Sequence, residues 1–249
     1  MLKVYYRLSD KNRKGKAPPY FTNENCLNNF IKSFELSTND QFVVIADNIG
    51  EATEKWLETK KITFIKTSLG NCGSFDYALN HALNESKLAD TDIVYFVEND
   101  YIHRKNSRLA LEEGFEYTAA DYVTLYDAPE KYCRHYNINY NNFVNYNEVG
   151  FEHFKSKIFA GPNFYWRTSN CTTMTFAGKV KTFREDYDMI KFNLVNMRTT
   201  PPEYKPIPSD WQMFVGLIET RNRTLVNPMP GFCTHGDLLS PYIQWEIHI

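Results

Sequence analysis

Between residues 2 and 126 the sequence alternates short apolar runs with amphipathic segments. The runs are residues 2–8, 41–46, 62–66, 93–97 and 122–126, each of strand length and mostly apolar. A strand with little polar surface must be covered on both faces, which is the condition of a parallel sheet. The intervening segments have helical period: residues 25–36 set Leu27, Phe30, Ile31 and Phe34 on one stripe, and residues 52–58, 74–85 and 108–117 read the same way. Strand, helix, strand in repetition predicts an α/β fold, a Rossmann-like, mostly parallel sheet flanked by helices and joined by right-handed crossovers.

The second half changes character. Residues 128–155 are crowded with Tyr and Asn and carry little periodicity, which predicts a long surface excursion. Residues 157–178 supply strand-like material and residues 183–196 read as helix. The Pro-rich stretch 199–208 cannot continue a helix, and Ser209 is placed to cap a new one over residues 210–220. Residues 224–233 form a last strand or extended segment. No internal repeat or linker interrupts the 249 residues, so one modified α/β domain is expected.

Ligands of an open parallel sheet sit beyond the carboxyl ends of its strands. The residues expected there are Asp47-Asn48-Ile49-Gly50 after the second run, Asn71-Cys72-Gly73 before the third helix, and Glu98-Asn99-Asp100 after the fourth run. Two carboxylates two positions apart at a strand end make a hard oxygen site for Mg2+ or Mn2+. Each piece has an ordinary alternative: Glu-x-Asp as a solvated turn, Asn-x-Gly as the turn before a helix, Asp-Asn as a strand exit. Their order, each at a predicted strand end or helix opening, is what points to a site.

In that order the motifs resemble the nucleotide-sugar half of the GT-A glycosyltransferases, family 2 in particular. The resemblance covers residues 1–126 by several motifs and residues 127–249 by isolated points, making them donor and acceptor halves. It implies that Glu98, with Asn99, contacts the ribose or an adjacent donor group and that Asp100 ligates a divalent cation, Mn2+ or Mg2+. Asp47 would face the nucleoside, and Arg7, Ser9, Asn71 and Gly73 would complete the nucleotide-sugar site, although Arg7 and Ser9 are not the family's usual side chains. Asp210, at the start of its helix, matches the place of the catalytic base, with Ser209 where the family usually has Glu. His235 matches a late metal ligand, with His103 as its competitor. Apart from the resemblance, Trp166 and Trp211, with Tyr165, have two readings: an aromatic wall for the acceptor, since sugar faces stack on aromatic rings, or core packing. The implied activity is transfer from a nucleoside diphosphate sugar, a UDP-sugar by resemblance, to an acceptor hydroxyl with inversion.

Composition excludes other classes. With 28 Lys+Arg against 30 Asp+Glu and no dense basic block, the footprint of a nucleic-acid binder is missing. The five cysteines are odd in number and contain no Cys-x-x-Cys pair, which argues against a zinc ribbon or disulfide framework and for reduced thiols. No apolar stretch nears the ~20 residues of a membrane span, and the start does not read as a signal peptide, so a soluble, cytoplasmic protein is expected. Three other readings stay open: a retaining GT-A enzyme, a sugar nucleotidyltransferase, and a binding module without catalysis. The nucleotidyltransferase ranks lower because the basic stretch 11–16 holds only Gly15, short of a Gly-rich loop.

Overall fold

The computed structural model describes residues 1–11, 17–85, 87–129, 156–196, 210–237, 239–240 and 243–249. Of the Tyr/Asn excursion 128–155 all but residues 128 and 129 lie outside them, as do the Pro-rich stretch and Ser209. The first half follows the expected alternation: β1 (Leu2–Ser9), α1 (Asn23–Phe34), β2 (Gln41–Asp47), α2 (Glu51–Thr59), β3 (Phe64–Thr67), α3 (Gly70–Asn80), β4 (Ile93–Glu98), β5 (Tyr101–His103), α4 (Ser107–Tyr117) and β6 (Tyr122–Val123). The second half supplies β7 (Ile158–Ala160), β8 (Tyr165–Ser169), β9 (Phe176–Lys179), α5 (Val180–Lys191), α6 (Asp210–Arg221), β10 (Leu225–Met229) and β11 (Cys233–His235). Both α3 and α5 run on into a single π-helical turn, His81–Glu85 and Phe192–Asn196.

Among the described residues nine strands make one sheet in the order β3-β2-β1-β4-β9-β6-β10-β8-β7. β1 to β4 pair in parallel, whereas β9 runs antiparallel to both β4 and β6, and β8 runs antiparallel to both β10 and β7. The sheet is therefore mostly parallel and flanked by helices, as the GT-A resemblance implies, with the reversed strands confined to the second half. β5 and β11 form a separate antiparallel pair.

Period-two alternation along the strands builds two cores. Val4, Tyr6, Leu8, Tyr95 and Val97 face α1 and α4, where Leu27, Phe30, Phe34, Ala110 and Leu111 are buried. Tyr5, Ile45, Val94 and Phe96 face the other way, against Phe75 of α3, Phe183 of α5 and Phe214 of α6. Thr22 caps α1 by accepting from Asn25 N–H at 3.0 Å. Ile31, expected on the buried stripe, is 42% exposed, because Leu27, Phe30 and Phe34 already fill the contact with the sheet. α3 begins four residues earlier than the periodicity predicts, so Asn71 and Gly73 fall in its first turn and not in a preceding loop.

Gly178 of β9 sits where the reversed strand crosses the core. A Cβ there would lie 2.8 Å from the Phe183 ring and 2.9 Å from that of Tyr122. Gly178→Ala is expected to cost about 1–3 kcal/mol as overpacking. At ~2–4 °C per kcal/mol for a chain of this size, thermal denaturation will read it as a clear fall in Tm.

Candidate active site

The carboxyl ends of β1, β2 and β4 open into a cavity of about 350 Å³, within the ~300–1,000 Å³ of small-molecule pockets. Its lining includes Arg7, Ser9, Lys11, Asp47, Asn71, Ser74, Glu98, Asn99, Asp100 and His235. Most of the residues expected to bind the donor therefore meet in one place. Lys11 and Ser74 were not singled out by sequence reasoning. Their only sequence signal is position, one beyond the first strand and the other within the first turn of α3.

Strand register explains the meeting. Arg7 on β1 lies opposite Glu98 on β4, and its Nη1 donates to Glu98 Oε1 at 3.0 Å. The Arg7 Nη2 donates to the Asn71 carbonyl at 2.6 Å and to Ser74 Oγ at 3.2 Å, and also bonds Asn71 Oδ1. Burial pushes the Glu98 carboxyl up to about 7; Arg7 opposes the rise, and Asp100 adds to it. Asn99 spans the neighbouring gap, donating to the Ser9 carbonyl at 3.1 Å and to Asn23 Oδ1 at 2.6 Å.

His235 arrives from 135 residues away through the pairing of β11 with β5, in which it lies opposite Tyr101. Gly236 N–H donates to the Asp100 carbonyl at 2.9 Å, and His235 Nε2 stands 3.3 Å from Asp100 Oδ2. Burial works against a charged His235, but Asp100, Glu98 and Asp237 together raise its pKa above the ordinary histidine value. An imidazole nitrogen and a carboxylate oxygen at this spacing suit neighbouring corners of an octahedral Mn2+ or Mg2+, whose ligand bonds of ~2.0–2.1 Å set adjacent donors ~3 Å apart. Among the described residues no group of three or more His, Cys, Asp or Glu forms a metal cage. A cation held here would draw its remaining ligands from water and substrate oxygens, the usual state of Mg2+ beside phosphates.

Two acids named by the sequence are engaged with backbone. Asp47 Oδ1 accepts from Leu69 N–H at 2.6 Å and Thr67 Oγ1 at 2.9 Å, while Oδ2 accepts from Gly70 N–H at 3.0 Å. Burial works against its charge, yet these bonds and one from Asn48 hold its carboxyl below the usual range. Asp47 lines the cavity and also sets the turn into α3, where Gly70 takes φ +78°. Asp210 is not among the residues lining the cavity. Its Oδ2 accepts from Thr172 N–H at 2.7 Å, Thr172 Oγ1 at 3.1 Å and Thr173 N–H at 2.6 Å.

The remaining expected residues stand away from the cavity lining. Trp166 cannot be an acceptor platform: it is wholly buried, with Nε1 donating to Glu113 Oε1 at 3.0 Å, because β8 lies inside the sheet beneath α4. Trp211 is half-buried in the first turn of α6, whereas Tyr165 is 64% exposed on β8. Gly73 is absent from the cavity lining, since its helical position sets it against Leu69. His103, the competing ligand, is fully buried with Nε2 2.9 Å from the Tyr95 hydroxyl, among the rings of Phe30 and Phe34.

No family model matches the chain, and no curated protein matches it in sequence. Solved structures are similar to it. They include the galactosyltransferase LgtC in complex with donor and acceptor sugar analogs, at 14% identity over 86% of this chain and 69% of that one, with a TM-score of 0.42. S. aureus TarS 1–349 is 14% identical over 90% of this chain and 57% of that one, with a TM-score of 0.49. A 4-diphosphocytidyl-2C-methyl-D-erythritol synthase is 9% identical over 87% and 84%, with a TM-score of 0.44. The likeness concerns fold alone, and the chemistry of the cavity has to come from its own residues. Among the described residues no helix is long and apolar enough to cross a membrane.

Burial drives the His103 pKa from the ordinary 6.5 down to about 3. Between those values the unfolded chain binds a proton that the folded chain refuses, so this group withdraws stability as pH falls from about 6.5 towards 3. Urea midpoints of the parent are expected to fall across that window more steeply than those of His103→Gln. Parallel pH profiles would contradict the assignment of a buried neutral imidazole.

Proposed function

We propose that the chain transfers a sugar from a nucleoside diphosphate sugar to an acceptor hydroxyl, using Mn2+ or Mg2+ held by Asp100 and His235. The observation that carries this reading is the convergence of Glu98, Asp100 and His235 with the buried Arg7 at the carboxyl ends of β1 and β4. The cavity lining carries three carboxylates, Asp47, Glu98 and Asp100, against Arg7 and Lys11, and Arg7 is already paired with Glu98. Such a site does not attract a diphosphate by its own field. A cation between acid and phosphate resolves the conflict, and when bound it supplies Lewis-acid stabilisation of charge on the leaving diphosphate.

The chain's own groups do the rest. Asp100 and His235 present an oxygen and a nitrogen donor in the cavity lining. Arg7 fixes Glu98 and the first turn of α3, so that Glu98, Ser9, Asn71 and Ser74 offer preset polar contacts to ribose and base. Asn99 locks the turn between Glu98 and Asp100 onto β1 and α1. Uracil is the base proposed, on resemblance alone. Inversion with Asp210 as base is not carried into this proposal, because Asp210 Oδ2 already accepts three hydrogen bonds.

A thermal-shift panel of nucleoside diphosphates and their sugars, with and without Mn2+, tests the reading. A ligand at ~100 times its Kd is expected to add about 2.7 kcal/mol of stability, and the gain should require metal. Asp100→Ala should abolish the metal-dependent part and leave the ligand-free Tm close to that of the parent. Release of nucleoside diphosphate from the stabilising donor supports transfer or hydrolysis, whereas release of pyrophosphate from a nucleoside triphosphate and a sugar phosphate would favour the nucleotidyltransferase. No shift with any nucleotide would overturn the proposal.

A further inference from the structure

The chain between β8 and β9 makes a turn its own residues oppose. Thr175 N–H closes it on the Thr172 carbonyl at 3.2 Å, and the two central residues, Thr173 and Met174, both have positive φ, 46° and 59°. Two left-handed central residues define a type I′ turn, which favours Asn and Gly at those positions; here it joins strands that do not pair with each other. Thr-Met is a poor sequence for it, and a β-branched residue at positive φ is a true outlier. Something outside the turn must hold it.

Two side chains do. Asp210 Oδ2 accepts from the Thr172 and Thr173 amides and the Thr172 hydroxyl, and the Tyr101 hydroxyl donates to the carbonyls of Thr172 and Thr173 at 3.2 and 3.0 Å. The turn in turn touches the cavity, because Thr175 Oγ1 accepts from Glu98 N–H at 3.2 Å. Tyr101 directly follows Asp100 and faces His235 across the β5–β11 pair. The strained turn is thus bonded to Glu98 at one end of the Glu98–Asp100 run and to Tyr101, the residue just past the other end.

We infer that Asp210 is a positioning residue, a latch from the start of α6 that holds the Thr172–Thr175 turn in its unfavourable conformation and through it sets the Glu98–Asp100 run. The latch stands on these contacts alone; its effect on turnover rests on the transfer reading above.

Asp210→Asn separates a latch from a base. An amide oxygen still accepts from two backbone N–H groups but cannot take a proton from an acceptor. Because hydrogen bonds to a charged acceptor are roughly twice as strong as neutral ones, the latch predicts that Asp210→Asn keeps turnover within about tenfold of the parent. Hydrogen exchange should find the Thr172 and Thr173 amides still protected. Asp210→Ala should lose protection at both amides and lose turnover more heavily than Asp210→Asn. Loss of ~10²–10⁴ in turnover by Asp210→Asn with both amides protected would mark a base and overturn the proposal. Unchanged protection in Asp210→Ala would overturn it equally. If Asp210→Ala does not fold, the Asp210→Asn result decides. Should the parent turn over no donor, the transfer reading fails, and amide exchange still decides the latch.

Discussion

The site depends first on one buried cation. Arg7 is 6% exposed, and its guanidinium bonds β4 through Glu98 and α3 through Asn71 and Ser74. The parallel register that sets Arg7 opposite Glu98 makes the ion pair possible, and the pair lets a carboxylate stand at the end of a strand otherwise packed in core. Removing Glu98 would leave the buried Arg7 guanidinium without its carboxylate, at a cost of about 3–5 kcal/mol. Because the same guanidinium ties down the first turn of α3, the helix cannot shift along the sheet without breaking it.

A second theme runs along the same edge of the sheet. Acids there grip backbone amides: Asp10 holds the Gly50 N–H at the start of α2, Asp47 holds those of Leu69 and Gly70, and Asp210 holds those of Thr172 and Thr173. Charge-assisted bonds of this kind are short and strong. They suit turns whose φ values, +78° at Gly70 and 46° and 59° at Thr173 and Met174, the chain would otherwise relax; for a non-glycine residue such a conformation costs about 1–3 kcal/mol. An acid that follows a strand or opens a helix thus has two uses, ligand contact and loop anchorage, and residue type does not distinguish them.

Much of the fold could be read from the apolar runs. β1, β2, β3 and β4 fall where the runs predict; β1 and β4 are largely buried and leave a continuous apolar trace, whereas β3, at the sheet edge, is only partly covered. The second half was harder. β9 and β8 are reversed and short, and β9 inserts between β4 and β6, an arrangement that alternating apolar residues cannot specify. Glu98, Asn99 and Asp100 line the cavity, and they are legible in the sequence because they end the strongest run. Of the two readings open for Trp166 the structure selects core, a choice the sequence does not make because aromatic content says nothing about which side of a sheet a ring faces. The type I′ turn at Thr173-Met174 carried no signal at all, since neither residue belongs to that turn by preference.

What the sequence determined by itself was local: which segments are strands and helices, and which polar residues stand at the strand ends. Those follow from periodicity and from the need to cover apolar faces. Tertiary structure alone decided which of those polar residues meet. His235 reaches Asp100 only because β11 pairs with β5, Arg7 reaches Glu98 only through the β1–β4 register, and Asp210 turns from the cavity to a backbone turn because α6 begins beside it. Contacts between residues far apart in the chain depend on register and packing summed over the whole sheet, and no short window of sequence contains that sum.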